Sequence, residues 1–273
     1  MAPIGKPGPI TEREHFMFEA SGYLLIPGAL SAGEVAACLD AARRAHEPLG
    51  TGKWRQIGHL YETEPAIEAL IDHPSVLPKI RSLMGDYFIL QSTWCTLQPR
   101  NSKAGNYHQD GSGIYEFRRL SVPTPLVQLR VGYFLTDQSR PDMGNMTVIP
   151  GSHTTQMTIP KDLVPDVDDL PNREPIIGKP GDAMLFHQGI YHRTGANRVD
   201  IDRYIMHIVY SPPWVIPSDR MKNDPAFLER TTPLRRALMG AFTSPEEPFG
   251  VGYMRPPFEG VESSGSSSQP KMM

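Results

Sequence analysis

The chain has 273 residues, 39% of them hydrophobic, enough to bury one large core, and a formal net charge of -3 from interspersed acids and bases. It has no Lys/Arg block to recruit nucleic acid or an anionic membrane, and no window approaches the roughly 18 apolar residues of a membrane span. A small-molecule partner and a cytoplasmic location are therefore expected, with oligomeric state left open.

The first segment, "MAPIGKPGPITEREH", has no basic region followed by an apolar run. Thr11 with Glu14 and Ser31 with Glu34 both fit the capping box, in which hydroxyl and carboxylate each satisfy a free N–H at a helix start. After Ser31, Val35, Cys38, Leu39 and Ala42 fall at helical spacing and predict one buried stripe. Between these helices "GYLLIPG" reads as a short strand, and "KWRQIGHLYE" as a loop carrying Trp54, Arg55, His59 and Tyr61. "EPAIEALIDH" and "SVLPKIRSLMG" predict a further helical pair.

From Asp86 the texture changes to short apolar or alternating runs between Pro, Gly and Asn, from "YFILQSTWCTLQ" to "RYIMHIVYSPP". Such strands at even spacing predict a mainly β fold, a barrel or jelly roll, with the helices outside one sheet. One domain over residues 1–261 is expected: a helical part at about 11–85, a barrel core at about 86–211 and an extension over 212–261 with a helix near Ala226 to Leu238. The Ser-rich end, 262–273, reads as disordered. The two cysteines, Cys38 and Cys95, fall in a predicted helix and strand, where core packing is their expected role.

"YHQDG" places His108 and Asp110 on one side of an extended chain, with Gln109 turned away. Alone this is an ordinary strand end or half of a metal site. About 80 residues on, "GDAMLFHQGIYHRTGANRVDIDRY" supplies His192, and Arg203 follows eleven residues later on the next strand. Two neutral histidines and a carboxylate are the ligand set of non-heme Fe(II) oxygenases. His187 stands in an apolar run and sixteen residues from Arg203, which favours a core role; His153 closes the turn "PGSH".

With "YHQDG", "NMTVIPGSH", "PGDAMLFHQGIYHRTGAN" and the opening "GYLLIPGALSAGEV", the sequence over roughly residues 12–211 resembles the phytanoyl-CoA dioxygenase family of Fe(II)/2-oxoglutarate oxygenases. The resemblance implies a double-stranded β-helix, a cupin-like jelly-roll barrel, with His108, Asp110 and His192 as catalytic metal ligands. It implies Fe(II), 2-oxoglutarate and O₂ as cofactor and cosubstrates, and Arg203 on the far carboxylate of 2-oxoglutarate. The implied reaction is a hydroxylation with release of succinate and CO₂, with desaturation or ring formation as variants. Related halogenases lack the carboxylate, so Asp110 speaks against halogen transfer.

The residue chemistry agrees with those roles. A guanidinium grips a carboxylate bidentately and stays charged; Thr194 has a hydroxyl that can reach the same group. Gln91 and Thr93, taken to share one face with Cys95, are further candidates for cosubstrate binding, and Gln128 and Arg130 raise the same possibility, with an outward salt bridge as the alternative for Arg130. Trp54, Arg55, Tyr115 and His207 are candidates for the substrate pocket. A non-catalytic barrel of the same fold and a zinc hydrolase with these three ligands remain the competing readings.

Overall fold

Both capping boxes form. In the computed structural model, which describes residues 3–50, 52–111, 115–155, 158–160 and 170–240, Thr11 and Glu14 cap α1 (Glu12–Ser21), and Ser31 and Glu34 cap α2 (Ala32–His46). Gly22 closes α1 in the left-handed region, at φ 79°, which only glycine adopts freely. Glu14 does more than cap. Its carboxylate also accepts from Lys6 N and from the fully buried Lys79 Nζ at 2.7 Å, and Lys79 donates as well to Pro9 O. This ties the first residues to α1 and to α4 (Leu77–Met84), the helix that follows the short α3 (Pro65–Glu68).

Among the described residues nine strands make two sheets. They are β1 (Tyr23–Ile26), β2 (Arg55–Gly58), β3 (Ile89–Gln98), β4 (Leu129–Phe134), β5 (Met146–Ile149), β6 (Glu174–Pro175), β7 (Ala183–His187), β8 (Tyr191–Thr194) and β9 (Arg203–Ser211). The large sheet runs β1-β7-β4-β9-β3-β2 and the small one β6-β5-β8, antiparallel throughout. Every segment read as a strand from residue 86 onward contains one. The helical and barrel parts are not separate in space, however: β1 and β2, from before residue 86, form the two edges of the large sheet.

Alternation sorts the strands into two faces. Leu97, Val131, Tyr133, Leu185, Tyr204, Met206 and Ile208 pack against α2, α3 and α4 in the larger core. Cys38 and Cys95 are both free and buried there, and burial pushes each thiol up to about 12. The opposite face sends Tyr23, Leu25, Phe134, Met184, Phe186 and Ile205 toward Met146 and Val148 of the small sheet. This inter-sheet space holds the polar residues described below.

Beyond β9 the expected single helix is two: α5 (Pro225–Arg230) and α6 (Pro233–Leu238). Thr231 is extended and Thr232 caps the second helix. Pro233 forces the break, because it lacks the N–H an interior helical residue donates and disfavours helical geometry in the residue before it. The expected tail at 262–273 and the end of the extension from 241 lie outside the described residues. No helix among the described residues is long and apolar enough to cross a membrane.

Candidate active site

The backbone itself brings the two histidines together. His108 and His192 form an isolated antiparallel bridge in which each N–H donates to the other's carbonyl at 3.0 Å. Residues that exchange both bonds lie with Cα atoms about 5.5 Å apart and side chains to the same side, and the two imidazole centroids are 4.3 Å apart. Asp110 is anchored next: its N–H donates to Gln188 O at 2.9 Å. The Gln188 side chain accepts from Val127 N and Gln128 N and donates to Pro125 O, stitching the β7–β8 turn to the segment that enters β4.

One ligand atom from each of His108, Asp110 and His192 lies within 4.8 Å of the other two. His108 Nε2 is 3.6 Å from Asp110 Oδ1, and His192 Nε2 is 3.3 Å from Asp110 Oδ2. Metal bonds of about 2.1 Å at right angles put neighbouring ligand atoms about 3 Å apart, so an ion needs only small adjustments here. His108 Nδ1 is 3.1 Å from Asn106 O and His192 Nδ1 is 3.0 Å from Ile190 O. A proton on each Nδ1 donates to these carbonyls and leaves Nε2 as a free lone pair, the usual arrangement of a metal-bound imidazole. Asp110 Oδ2 is buried without a hydrogen bond. Its nearest charged neighbour is Arg130 Nε at 2.8 Å, and the donor set of two imidazoles and one carboxylate fits Fe(II).

Charge agrees. Burial pushes the His192 imidazole down to about 4, so it is neutral near pH 7. Burial also opposes the charge on Asp110, but Arg130 and the two imidazoles hold its carboxyl well below the usual carboxylate range. The neighbouring Asp110 carboxylate raises His108, whose side chain is 52% exposed.

From the triad the inward wall of the large sheet runs through Arg130, then His207 opposite Trp94, to Arg203 opposite Gln98. The His207 and Trp94 rings stack at 5.1 Å, and both His207 Nδ1 and Trp94 Nε1 are buried without a hydrogen-bond partner. Arg203 is buried; its Nε donates to Gln138 Oε1 at 3.0 Å, and among the described residues no acid pairs with it. Burial draws its guanidinium down to about 10. Gln98 donates to Gly195 O, while its Oε1 has no partner. Gly144, at φ 75°, lets a loop lie against both: a Cβ there would collide with Gln98 Oε1 and stand 2.7 Å from Arg203 Cδ. Thr194 lies two residues beyond His192 and opposite Met146, on the inward face of β8.

Among the sequence candidates, Thr93 and Arg55 turn away from the triad. The β3–β9 register shifts between Leu90 and Ser92, so strict alternation misassigns the start of β3. Thr93 pairs with Ile208 and turns with Cys95 and Leu97 to the helix side, and the inward residues are Trp94, Thr96 and Gln98. Gln91 sits at the bulge, where its Nε2 donates to Tyr115 Oη and to Ile216 O. Arg55 belongs to an edge strand rather than a loop; it pairs with Leu97, which points its side chain to the helix face, away from the triad. Trp54, just before β2, is 52% exposed. His207 lies on the inward face opposite Trp94; Tyr115 stacks on Phe117 at 4.9 Å and donates to Ile216 O.

His187 and His153 pack ring against ring, 4.9 Å apart and apart from the triad. Trp94, Gln98, Gln138 and Gln188 were not singled out from sequence. Only the even-numbered alternation of "STWCTLQ" pointed to the first two.

A family model described as Phytanoyl-CoA dioxygenase (PhyH) matches residues 18–205. The ectoine dioxygenase of Sphingopyxis alaskensis is 25% identical over 238 residues, covering 74% of this chain and 76% of that protein. Four further curated relatives are spanned over 50–58% of their length. Among solved structures, HygX from Streptomyces hygroscopicus with nickel and 2-oxoglutarate bound superposes with a TM-score of 0.66 at 17% identity, over 77% of this chain and 90% of that one. The non-heme alpha ketoglutarate dependent carbocyclase SnoK from nogalamycin biosynthesis gives 0.63 at 20% identity, over 80% and 97%. These likenesses establish the jelly-roll fold.

Proposed function

The chain belongs to the phytanoyl-CoA dioxygenase family, and from that premise we propose that His108, Asp110 and His192 hold Fe(II) and that Arg203 grips the far carboxylate of 2-oxoglutarate. The protein is a non-heme Fe(II)/2-oxoglutarate-dependent dioxygenase. Its reaction, on this reading, is hydroxylation of an unactivated C–H bond in a small-molecule metabolite. When bound, iron and 2-oxoglutarate supply the oxidant: O₂ is consumed, one oxygen atom goes to the substrate, and succinate and CO₂ leave.

The chain's own residues bind, orient and shield. Gln138 holds Arg203 Nε and thereby fixes the guanidinium plane, so that two terminal N–H groups can meet a carboxylate in parallel. Trp94 Nε1 stands between that end and the triad with its N–H unused, able to donate to an oxygen of the cosubstrate. Asn106 O and Ile190 O keep the Nδ1 protons in place, and Phe186, Met146 and Val148 form an apolar floor that excludes water.

The observation that carries the reading is the convergence of three ligand atoms within 4.8 Å, with both Nδ1 atoms facing backbone carbonyls. Anaerobic titration with Fe(II) and 2-oxoglutarate should raise a visible charge-transfer band in the wild type and none in His108→Ala. A wild-type protein without the band would sink the assignment.

A further inference from the structure

Arg130 is largely buried on the inward face of β4, and among the described residues no acid other than Asp110 pairs with it. Its side chain is 12% exposed, Nη2 donates to Gln128 Oε1 at 3.2 Å, and its guanidinium lies 5.3 Å from the centre of the Trp94 ring. Its one ion-pair partner among the described residues is Asp110, with Nε 2.8 Å from Oδ2. The pair is close but misaligned, since neither atom makes a hydrogen bond. Asp110 is also the carboxylate assigned to the metal. Among the described residues the inter-sheet space therefore holds two cations, Arg130 and Arg203, around a single anion that is already assigned to the metal.

Charge accounting then points to the substrate, and this step rests on the iron and 2-oxoglutarate reading above. Fe(II) and a 2-oxoglutarate dianion cancel each other, and Asp110 offsets one of the two arginines. One positive charge is left over in a buried cavity, where an uncompensated charge is strongly unfavourable. Because Arg203 faces the far end of the cosubstrate, the surplus sits at Arg130, beside the metal. We propose that the primary substrate is a carboxylate and that Arg130 seats it next to the iron. Gln128 already accepts from Nη2, so the remaining terminal N–H groups offer a planar edge that suits a carboxylate.

The test uses the full-length protein, without oxygen, loaded with Fe(II) and saturating 2-oxoglutarate. Small carboxylic acids and their primary amides, matched in carbon skeleton, are titrated into wild type, Arg130→Gln and Arg130→Lys while the charge-transfer band is followed. The band itself reports an intact, folded site, and its absence from the wild type would count against the functional reading rather than this one. Acids are expected to shift the band where their amides do not. Arg130→Gln should weaken the acids by about tenfold or more, the worth of a charge-assisted hydrogen bond, and Arg130→Lys less. Equal binding of acids and amides, acid binding that survives Arg130→Gln, or no acid shifting the wild-type band would overturn the proposal. A variant whose main defect is a lowered affinity for 2-oxoglutarate would overturn it too, by assigning the arginine to the cosubstrate's near carboxylate.

Discussion

Replacing Arg203 by methionine should move stability and binding in opposite directions. The guanidinium is 3% exposed with no acid to neutralise it among the described residues, and burial draws it down to about 10. Each pH unit of that displacement is about 1.4 kcal/mol, so the charge costs the ligand-free protein on the order of 3 kcal/mol. Arg203→Met removes this cost but leaves Gln138 Oε1 without its donor, a loss of about 1–2 kcal/mol. The apoprotein should therefore melt at the same temperature as wild type or a few degrees higher. Affinity for 2-oxoglutarate should fall: two charge-assisted hydrogen bonds at about 1.5–3 kcal/mol each imply a Kd raised roughly 10²- to 10⁴-fold. Differential scanning calorimetry of the apoprotein and anaerobic titration of the Fe(II) protein read the two effects separately. A large drop in apo Tm would show that Arg203 is a structural ion. An unchanged Kd would remove it from the cosubstrate site.

A methyl group at Gly144 would strike Gln98 and Arg203 at a φ of 75°; Gly144→Ala should weaken 2-oxoglutarate about tenfold or more while leaving Fe(II) binding near wild type, and an unaltered Kd would refute that contact. Lys79→Met should destabilise the fold by about 3 kcal/mol, because it leaves Glu14 buried without its cation. Burial works against the Glu14 carboxylate, but Lys79 and the backbone N–H groups of Thr11 and Lys6 hold its pKa below the ordinary value. The stability this contributes is present above the unfolded carboxyl pKa and is lost as pH falls through the lower folded one. Urea melts should thus show the wild-type advantage over Lys79→Met widest near pH 7 and shrinking in acid; a gap independent of pH would contradict the pairing.

Capping boxes and β-strand runs were legible because they are local: the Thr11 and Ser31 hydroxyls act on N–H groups three residues away. The triad was legible because His108 and Asp110 share a side by alternation and His192 occurs in a recognisable setting. What escaped depended on pairing between strands. Thr93 does share a face with Cys95, as alternation expects, but that face turns to the helices, and a count along one strand cannot say which face is inward; only Gln91 is displaced by the bulge at Leu90/Ser92. Four residues, "RQIG", were too few to reveal β2, whose place is set by the neighbouring β3. Alternation offered Arg130 two faces with no means of choosing; its register with Val209 and Phe186 makes the choice. The C-terminal helix was read through Pro233 because its apolar spacing continues on both sides.

The doubly bonded bridge between His108 and His192 has a consequence for quality control of the folded protein. A slip of β8 by one residue would keep most of the sheet's hydrogen bonds but turn His192 and Thr194 outward and Arg193 inward. Such a misregistered molecule would look folded by circular dichroism yet retain no iron. With the metal assignment proposed above, metal content per chain is therefore also a gauge of strand register.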